Sequence, residues 1–216
     1  MIAANGELDM SVERFGLYLV ITNPVTSYEQ CAEAAVKAGL RYIQLRIKHA
    51  GRERILTIAR NLRGITSGSD TRFIVNDDPL IAAESGADGA HLGQTDMPLP
   101  EARLKFPDLA IFGLSTHNPA QAREAAALNP DYCGVGPVFA TPTKEIPDPT
   151  LGPELAGEII RQAPFTTVAI GGIDRSNLAA ILRAGAINFA VVREVCLDPA
   201  PYDAIRRLQD IWHALQ

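Results

Sequence analysis

The sequence predicts an α/β chain folded as one (β/α)8 barrel. Short apolar runs rich in Val, Ile and aromatic residues recur along the whole chain, each followed by an Ala-rich stretch of helical period. The runs are apolar throughout instead of alternating, which marks strands covered on both faces and hence a parallel sheet. Strict βα alternation leaves an open doubly wound sheet or a closed barrel, and an open sheet normally uses fewer strands than are read here.

In order, the strands are read at residues 17–22 (LYLVIT), 42–46 (YIQLR), 73–76 (FIVN), 89–92 (GAHL), 111–115 (IFGLS), 132–136 (YCGVG), 167–170 (TVAI) and 188–192 (NFAVV). Residues 1–13 precede the first strand and read as a loose arm, leaving 14–216 as one barrel domain with no linker. Thr26 or Ser27 can cap the first helix, and Gly39 can supply its left-handed end. Asn118-Pro119 pairs a cap with a proline at the first helical position. Asp174 reads as the cap of a helix closing at Gly185. In the tail, 201–215, Ile205, Leu208, Ile211, Trp212 and Leu215 fall on one face. The likeness of GADGAHLG to GAINFAVV reflects a shared helix-to-strand turn, not a repeat array.

Composition narrows the function classes. Among 216 residues, 47% are hydrophobic, enough for a single core without disulfide or metal staples. A formal charge of −5 is the wrong sign for a general nucleic-acid binder. No apolar run approaches a membrane span, and MIAANGELDM lacks the apolar region of a secretory signal. Cys31, Cys133 and Cys196 are too scattered for a disulfide framework or a zinc site and fit reduced, buried thiols. The expectation is a cytoplasmic enzyme or small-molecule binder, with assembly into a homo-oligomer left open.

Function in a barrel belongs at the carboxyl ends of the strands. In the second strand, the period of two puts Gln44, Arg46 and Lys48 on the face opposite Leu45 and Ile47, toward the barrel mouth. Two cations there call for an anionic partner, either a ligand or a local acid such as Asp77. The third strand ends in Asn76-Asp77-Asp78, and the loop after the fourth carries Gly93-Gln94-Thr95-Asp96. Asp77 and Asp96 could act as acid and base or hold a hard divalent cation beside a phosphate, whereas Asp78 before Pro79 suits a helix cap.

After the sixth strand, GPVFATPTK offers Thr141, Thr143 and Lys144, a set suited to phosphate or carboxylate contacts on a closing loop or to an ordinary Pro/Thr loop. Gly171-Gly172 after the seventh strand runs into a predicted helix start, where backbone N–H groups can meet an anion. His91, inside a strand, reads as core, while His117 beyond the fifth strand remains a candidate. No GxSxG, HExxH or GxGxxG motif is present.

Together, QLRIK, NDDPLIAAESGADGAHLGQTDMP, GLSTHNPAQ, DYCGVGPVFATPTK and VAIGGI resemble the thiamine phosphate synthase family over about residues 17–195. The resemblance implies a transferase that joins hydroxymethylpyrimidine pyrophosphate to hydroxyethylthiazole phosphate, giving thiamine phosphate and pyrophosphate. It implies that Gln44, Arg46, Lys48, Asn76, Ser115 and Lys144 hold the pyrimidine pyrophosphate, with Arg46, Ser115 and Lys144 serving catalysis. Asp77 and Asp96 would carry Mg2+. Thr141, Thr143 and the backbone at Gly171, Gly172, Val192 and Arg193 would hold the thiazole phosphate. Arg193 stands where the family usually has a small hydroxyl residue, so its side chain either contacts that phosphate or pairs with Glu194 or an acid of the last helix. Two alternatives are a thiazole tautomerase of the same fold, relying on a histidine at the His117 position, and a non-catalytic thiazole- or thiamine-phosphate binder.

Overall fold

The computed structural model describes residues 12–143 and 148–215. Eight parallel strands close into a barrel in sequence order: β1 (Leu17–Ile21), β2 (Tyr42–Leu45), β3 (Arg72–Asn76), β4 (Gly89–Leu92), β5 (Ile111–Thr116), β6 (Tyr132–Val135), β7 (Thr167–Ala169) and β8 (Asn188–Val191). Closure comes from Leu17 of β1 pairing with Phe189 of β8. The helices between them are α1 (Tyr28–Lys37), α2 (Arg52–Thr66), α3 (Pro79–Ser85), α4 (Leu99–Lys105), α5 (Pro119–Leu128), α6 (Gly152–Gln162) and α7 (Leu178–Arg183). A single turn, α8 (Arg193–Cys196), and the long α9 (Pro201–Ala214) follow β8.

Two apolar layers explain why the strands lack a polar face. Leu17, Leu19 and Ile21 point outward to the helices, with Ile43, Leu45, Phe73 and Val75 beside them. Tyr18 and Val20, with Tyr42, Ile74, Tyr132, Val168 and Ala190, fill the barrel. Alternation along a strand thus chooses between two buried environments.

Local signals operate as the sequence predicts at most helix ends. Ser27, not Thr26, caps α1 by accepting from Gln30 N at 3.0 Å, and Gly39 follows the helix at φ 71°. Asn118 caps α5 with Pro119 inside it, and Asp78 caps α3 through Leu80 N and Ile81 N. Gly86 and Gly185 both take positive φ at matching helix-to-strand turns. One boundary differs. Asp174 caps a turn rather than the helix: Asn177 Oδ1 accepts from Asp174 N at 2.9 Å, its Nδ2 donates to Gly172 O at 2.8 Å, and α7 starts only at Leu178. On α9, Ile205 and Leu208 are fully buried, but Leu215 lies past the helix and is exposed. All three cysteines are free and buried.

Of the expected arm, residues 1–11 lie outside the described residues. Glu13 belongs to the closure of the barrel's amino end: it accepts from Tyr42 OH at 2.7 Å and pairs with Arg41 at 2.9 Å. Among the described residues, no helix is long and apolar enough to cross a membrane.

Candidate active site

At the carboxyl ends of the strands lies a cavity of 750 Å³. Of the residues singled out from the sequence, Gln44, Arg46, Lys48, Asn76, Asp77, Asp96, Ser115, Thr141, Thr143, Gly171, Gly172, Val192 and Arg193 all line it. Lys144 lies outside the described residues.

The cations sit just beyond β2, which ends at Leu45; Arg46 N still donates to Ile21 O at 3.0 Å, so the β1–β2 ladder carries Arg46 to the rim, with Lys48 two residues further on. Arg46 is half-buried, and burial is the main influence lowering its pKa, against the nearby charge of Asp77. No carboxylate among the described residues reaches ion-pair distance of its guanidinium. A desolvated guanidinium without a paired carboxylate is a ready receptor for an anion. Lys48 differs, since its ammonium pairs with Asp77.

Asp77 occupies left-handed backbone at φ 66°, fixed by its N–H donating to His91 O at 2.8 Å. Asp96 accepts from Gly93 N at 2.6 Å. Burial raises the Asp96 carboxyl above its usual range, and Asp77, within hydrogen-bonding reach, raises it further. Two carboxylates this close in a partly desolvated wall favour a shared cation or a shared proton. The described residues contain no group of three or more His, Cys, Asp or Glu able to hold a metal. Asp77 and Asp96 could hold a hard divalent cation between them, since Mg2+ needs only one or two protein carboxylates when water and phosphate oxygens supply the rest.

The opposite wall comes from the β6 and β7 ends. Thr141 Oγ1 donates to Thr143 Oγ1 at 3.0 Å and accepts from Thr143 N, drawing both hydroxyls into one turn. Gly171 and Gly172 take φ 103° and 62°. They do not run directly into a helix, because the turn capped by Asp174 intervenes. Their bareness instead admits the β6 loop: a Cβ on Gly171 would lie 2.4 Å from Pro137 Cα, and one on Gly172 would lie 2.5 Å from Ala140 O. Val192 caps the one-turn α8, whose first N–H groups lack intrahelical acceptors. Glu194 pairs with Arg175 at 3.5 Å, and no acid among the described residues pairs with the exposed Arg193. The salt-bridge reading of Arg193 is thus not what forms.

His117 lines the cavity with Nδ1 2.6 Å from Gly136 O and Nε2 3.6 Å from Asp148. His91 is buried, as a core histidine should be, yet it also faces the cavity and hydrogen-bonds Ser115 Oγ at 2.9 Å. Tyr18 and Tyr132 line the floor as well and were not singled out from the sequence.

The family model described as thiamine monophosphate synthase matches residues 17–195, most of the chain and all eight strands. The chain belongs to the thiamine monophosphate synthase family. It is accordingly a member of a family of transferases. The chain is 44% identical over 193 residues to a thiamine-phosphate synthase of Gloeobacter violaceus, covering 89% of this chain and 56% of that protein. It thus spans little more than half of that relative's length. With the thiamine-phosphate synthase of Methanospirillum hungatei it shares 38% identity over 199 residues, covering 91% of this chain and 97% of the relative. Among solved structures, a thiamine phosphate pyrophosphorylase from Pyrococcus furiosus superposes with a TM-score of 0.85 at 30% identity, covering 93% of this chain and 96% of that one.

Proposed function

We propose that the chain joins hydroxymethylpyrimidine pyrophosphate to hydroxyethylthiazole phosphate, releasing pyrophosphate and forming thiamine phosphate. The observation that carries this reading is the shared cavity wall: the Arg46 guanidinium, which pairs with no carboxylate among the described residues, Lys48 and the Asp77–Asp96 couple stand together at the ends of β2, β3 and β4. That arrangement suits a polyanion carrying a divalent cation better than either an isomerase substrate or a lone monophosphate.

In this reading Asp77 and Asp96 hold Mg2+, which when bound neutralises pyrophosphate charge. Arg46, Lys48 and Lys144 stabilise the negative charge that grows as the carbon–oxygen bond to pyrophosphate breaks. Gln44, Asn76 and Ser115 orient the pyrimidine so that its methylene faces the incoming thiazole. The electron pair leaves with pyrophosphate, the pyrimidine ring shares the resulting positive charge, and the thiazole nitrogen lone pair closes the carbon–nitrogen bond. No nucleophile or base is required of the protein, whose part is positioning and charge neutralisation. Thr141, Thr143, the backbone from Gly171 and Gly172, and Arg193 hold the thiazole phosphate; the short helix after β8 stands where this architecture places such groups.

The test is product formation from the two substrates with and without Mg2+. The expected result is thiamine phosphate and stoichiometric pyrophosphate only when the metal is present. Isomerised thiazole without joining would instead support the tautomerase reading through His117. Binding of either substrate without turnover would support a binder.

A further inference from the structure

Beneath the cations, the floor of the cavity carries a hydrogen-bonded chain that joins Gln44 to Ser115 through three side chains the mechanism above leaves unused, Tyr18, Tyr132 and His91. Gln44 Nε2 donates to Tyr18 OH at 3.1 Å, and Tyr18 OH lies 2.8 Å from Tyr132 OH. Tyr132 OH lies 3.1 Å from His91 Nδ1, and His91 Nε2 lies 2.9 Å from Ser115 Oγ. The five side chains come from β2, β1, β6, β4 and β5, and together they cross the barrel interior. Gly113 makes room for the central link. A Cβ there would stand 2.2 Å from Tyr132 Cζ and 2.6 Å from His91 Nδ1.

Counting donors gives the chain a direction. With the Gln44 amide donating to the Tyr18 oxygen, the acceptor left for the Tyr18 proton is Tyr132. The Tyr132 proton then goes to His91 Nδ1. A neutral imidazole that accepts at Nδ1 carries its proton on Nε2 and donates it to Ser115 Oγ. The Ser115 oxygen is thereby engaged from below, and its own proton turns to the cavity. Burial holds both phenols well above their usual pKa, so both keep the protons this order requires. Reversing the Gln44 amide would reverse every link and leave Ser115 offering only lone pairs.

We propose that this chain makes Ser115 a one-way donor into the cavity, so that the site selects a substrate bearing a hydrogen-bond acceptor there, namely a ring nitrogen of the pyrimidine. Tyr18, Tyr132 and His91 are positioning residues for that donor. The identity of the ligand rests on the function proposed above; the direction of the chain does not. A site built to donate to a ring nitrogen leaves the half-buried Ser115 hydroxyl proton without its acceptor when that atom is absent, so discrimination follows from the loss.

The direction is read first, by nitrogen-15 NMR of the ligand-free protein at neutral pH. His91 is expected as a neutral imidazole with a bare Nδ1 and a proton on Nε2. A proton on Nδ1, alone or in the imidazolium, overturns the proposal. Calorimetry then compares the pyrimidine pyrophosphate with an analogue whose ring nitrogens are replaced by CH. The wild type should bind the analogue about tenfold more weakly, whereas Tyr132→Phe should lose most of that preference and leave thiazole-phosphate affinity unchanged. The same variant should show His91 in mixed tautomers. Equal wild-type affinity for the two pyrimidine ligands overturns the selectivity. If Tyr132→Phe fails to fold, the wild-type tautomer and analogue measurements still decide. A wild type that shows the expected tautomer but binds neither pyrimidine ligand overturns the proposed function and the substrate named here, while supporting the direction of the chain.

Discussion

Asp77 carries a Cβ into left-handed backbone, at φ 66°, in the wall where two carboxylates meet. For a non-glycine residue that conformation costs about 1–2 kcal/mol, and it persists because the carboxylate's aim is set by it. Two substitutions separate the backbone from the carboxylate. Asp77→Gly relieves the conformation and Asp77→Ala does not, so the glycine variant should be more stable by about 1 kcal/mol in urea unfolding. Both should lose nearly all turnover in the product assay. Equal stability of the two would remove the strain argument, and retained turnover in either would remove Asp77 from the metal set. At this scale the sequence was legible where a polar residue broke an apolar pattern, as Gln44, Arg46 and Lys48 do. It was not legible for Tyr18 and Tyr132. A tyrosine in an apolar strand has the pattern of a core residue, and the partner that makes its hydroxyl matter lies 114 positions away.

Between elements, the end of β7 is built to touch the loop after β6. Val138 N donates to Ile170 O at 2.8 Å and Phe139 N to Gly171 O at 2.9 Å, extending the β6–β7 pairing beyond the strands. Gly171 and Gly172 permit that approach, and it delivers Thr141 and Thr143 to the cavity. Gly172→Ala places a Cβ 2.5 Å from Ala140 O at φ 62°, so both the backbone and the loop must move. The expected cost is about 1–3 kcal/mol of stability. Weaker binding of the thiazole phosphate should accompany it, with less change for the pyrimidine pyrophosphate. Calorimetry with each substrate checks this; an unchanged thiazole-phosphate affinity would detach the glycine pair from that subsite. The glycine pair itself was visible in the sequence, but its reason was not. Asp174 and Asn177 are both good cap residues, and only the Asn177 bonds to Asp174 N and Gly172 O decide that the helix starts after the second.

Across the whole molecule, the two ends of the barrel divide stability from chemistry. The carboxyl end gathers the polar groups that line the cavity, whereas the polar groups of the amino end bond to one another. Asn188, 1% exposed at the start of β8, accepts from Phe15 N at 2.8 Å and Gly16 N at 3.0 Å. Its amide nitrogen donates to Glu13 O at 2.8 Å and Thr167 O at 3.2 Å. One side chain thus ties the entering segment to β7 and β8 and closes the floor beneath Phe15 and Tyr42, whose rings pack 4.7 Å apart. The βα alternation made the barrel readable from sequence because every unit repeats one physical pattern. This closure was not readable, because its bonds join residues far apart in sequence, the Asn188 amide reaching back more than 170 positions. Asn188→Leu keeps the volume but strands buried backbone N–H and C=O groups. It should lower unfolding free energy by about 2–4 kcal/mol. The Michaelis constants for both substrates should stay at their wild-type values, since no atom of Asn188 lines the cavity. Denaturant unfolding and steady-state kinetics on the same preparation test the division: a variant that kept its stability, or that lost substrate affinity while remaining folded, would show that the amino end is not a purely structural floor.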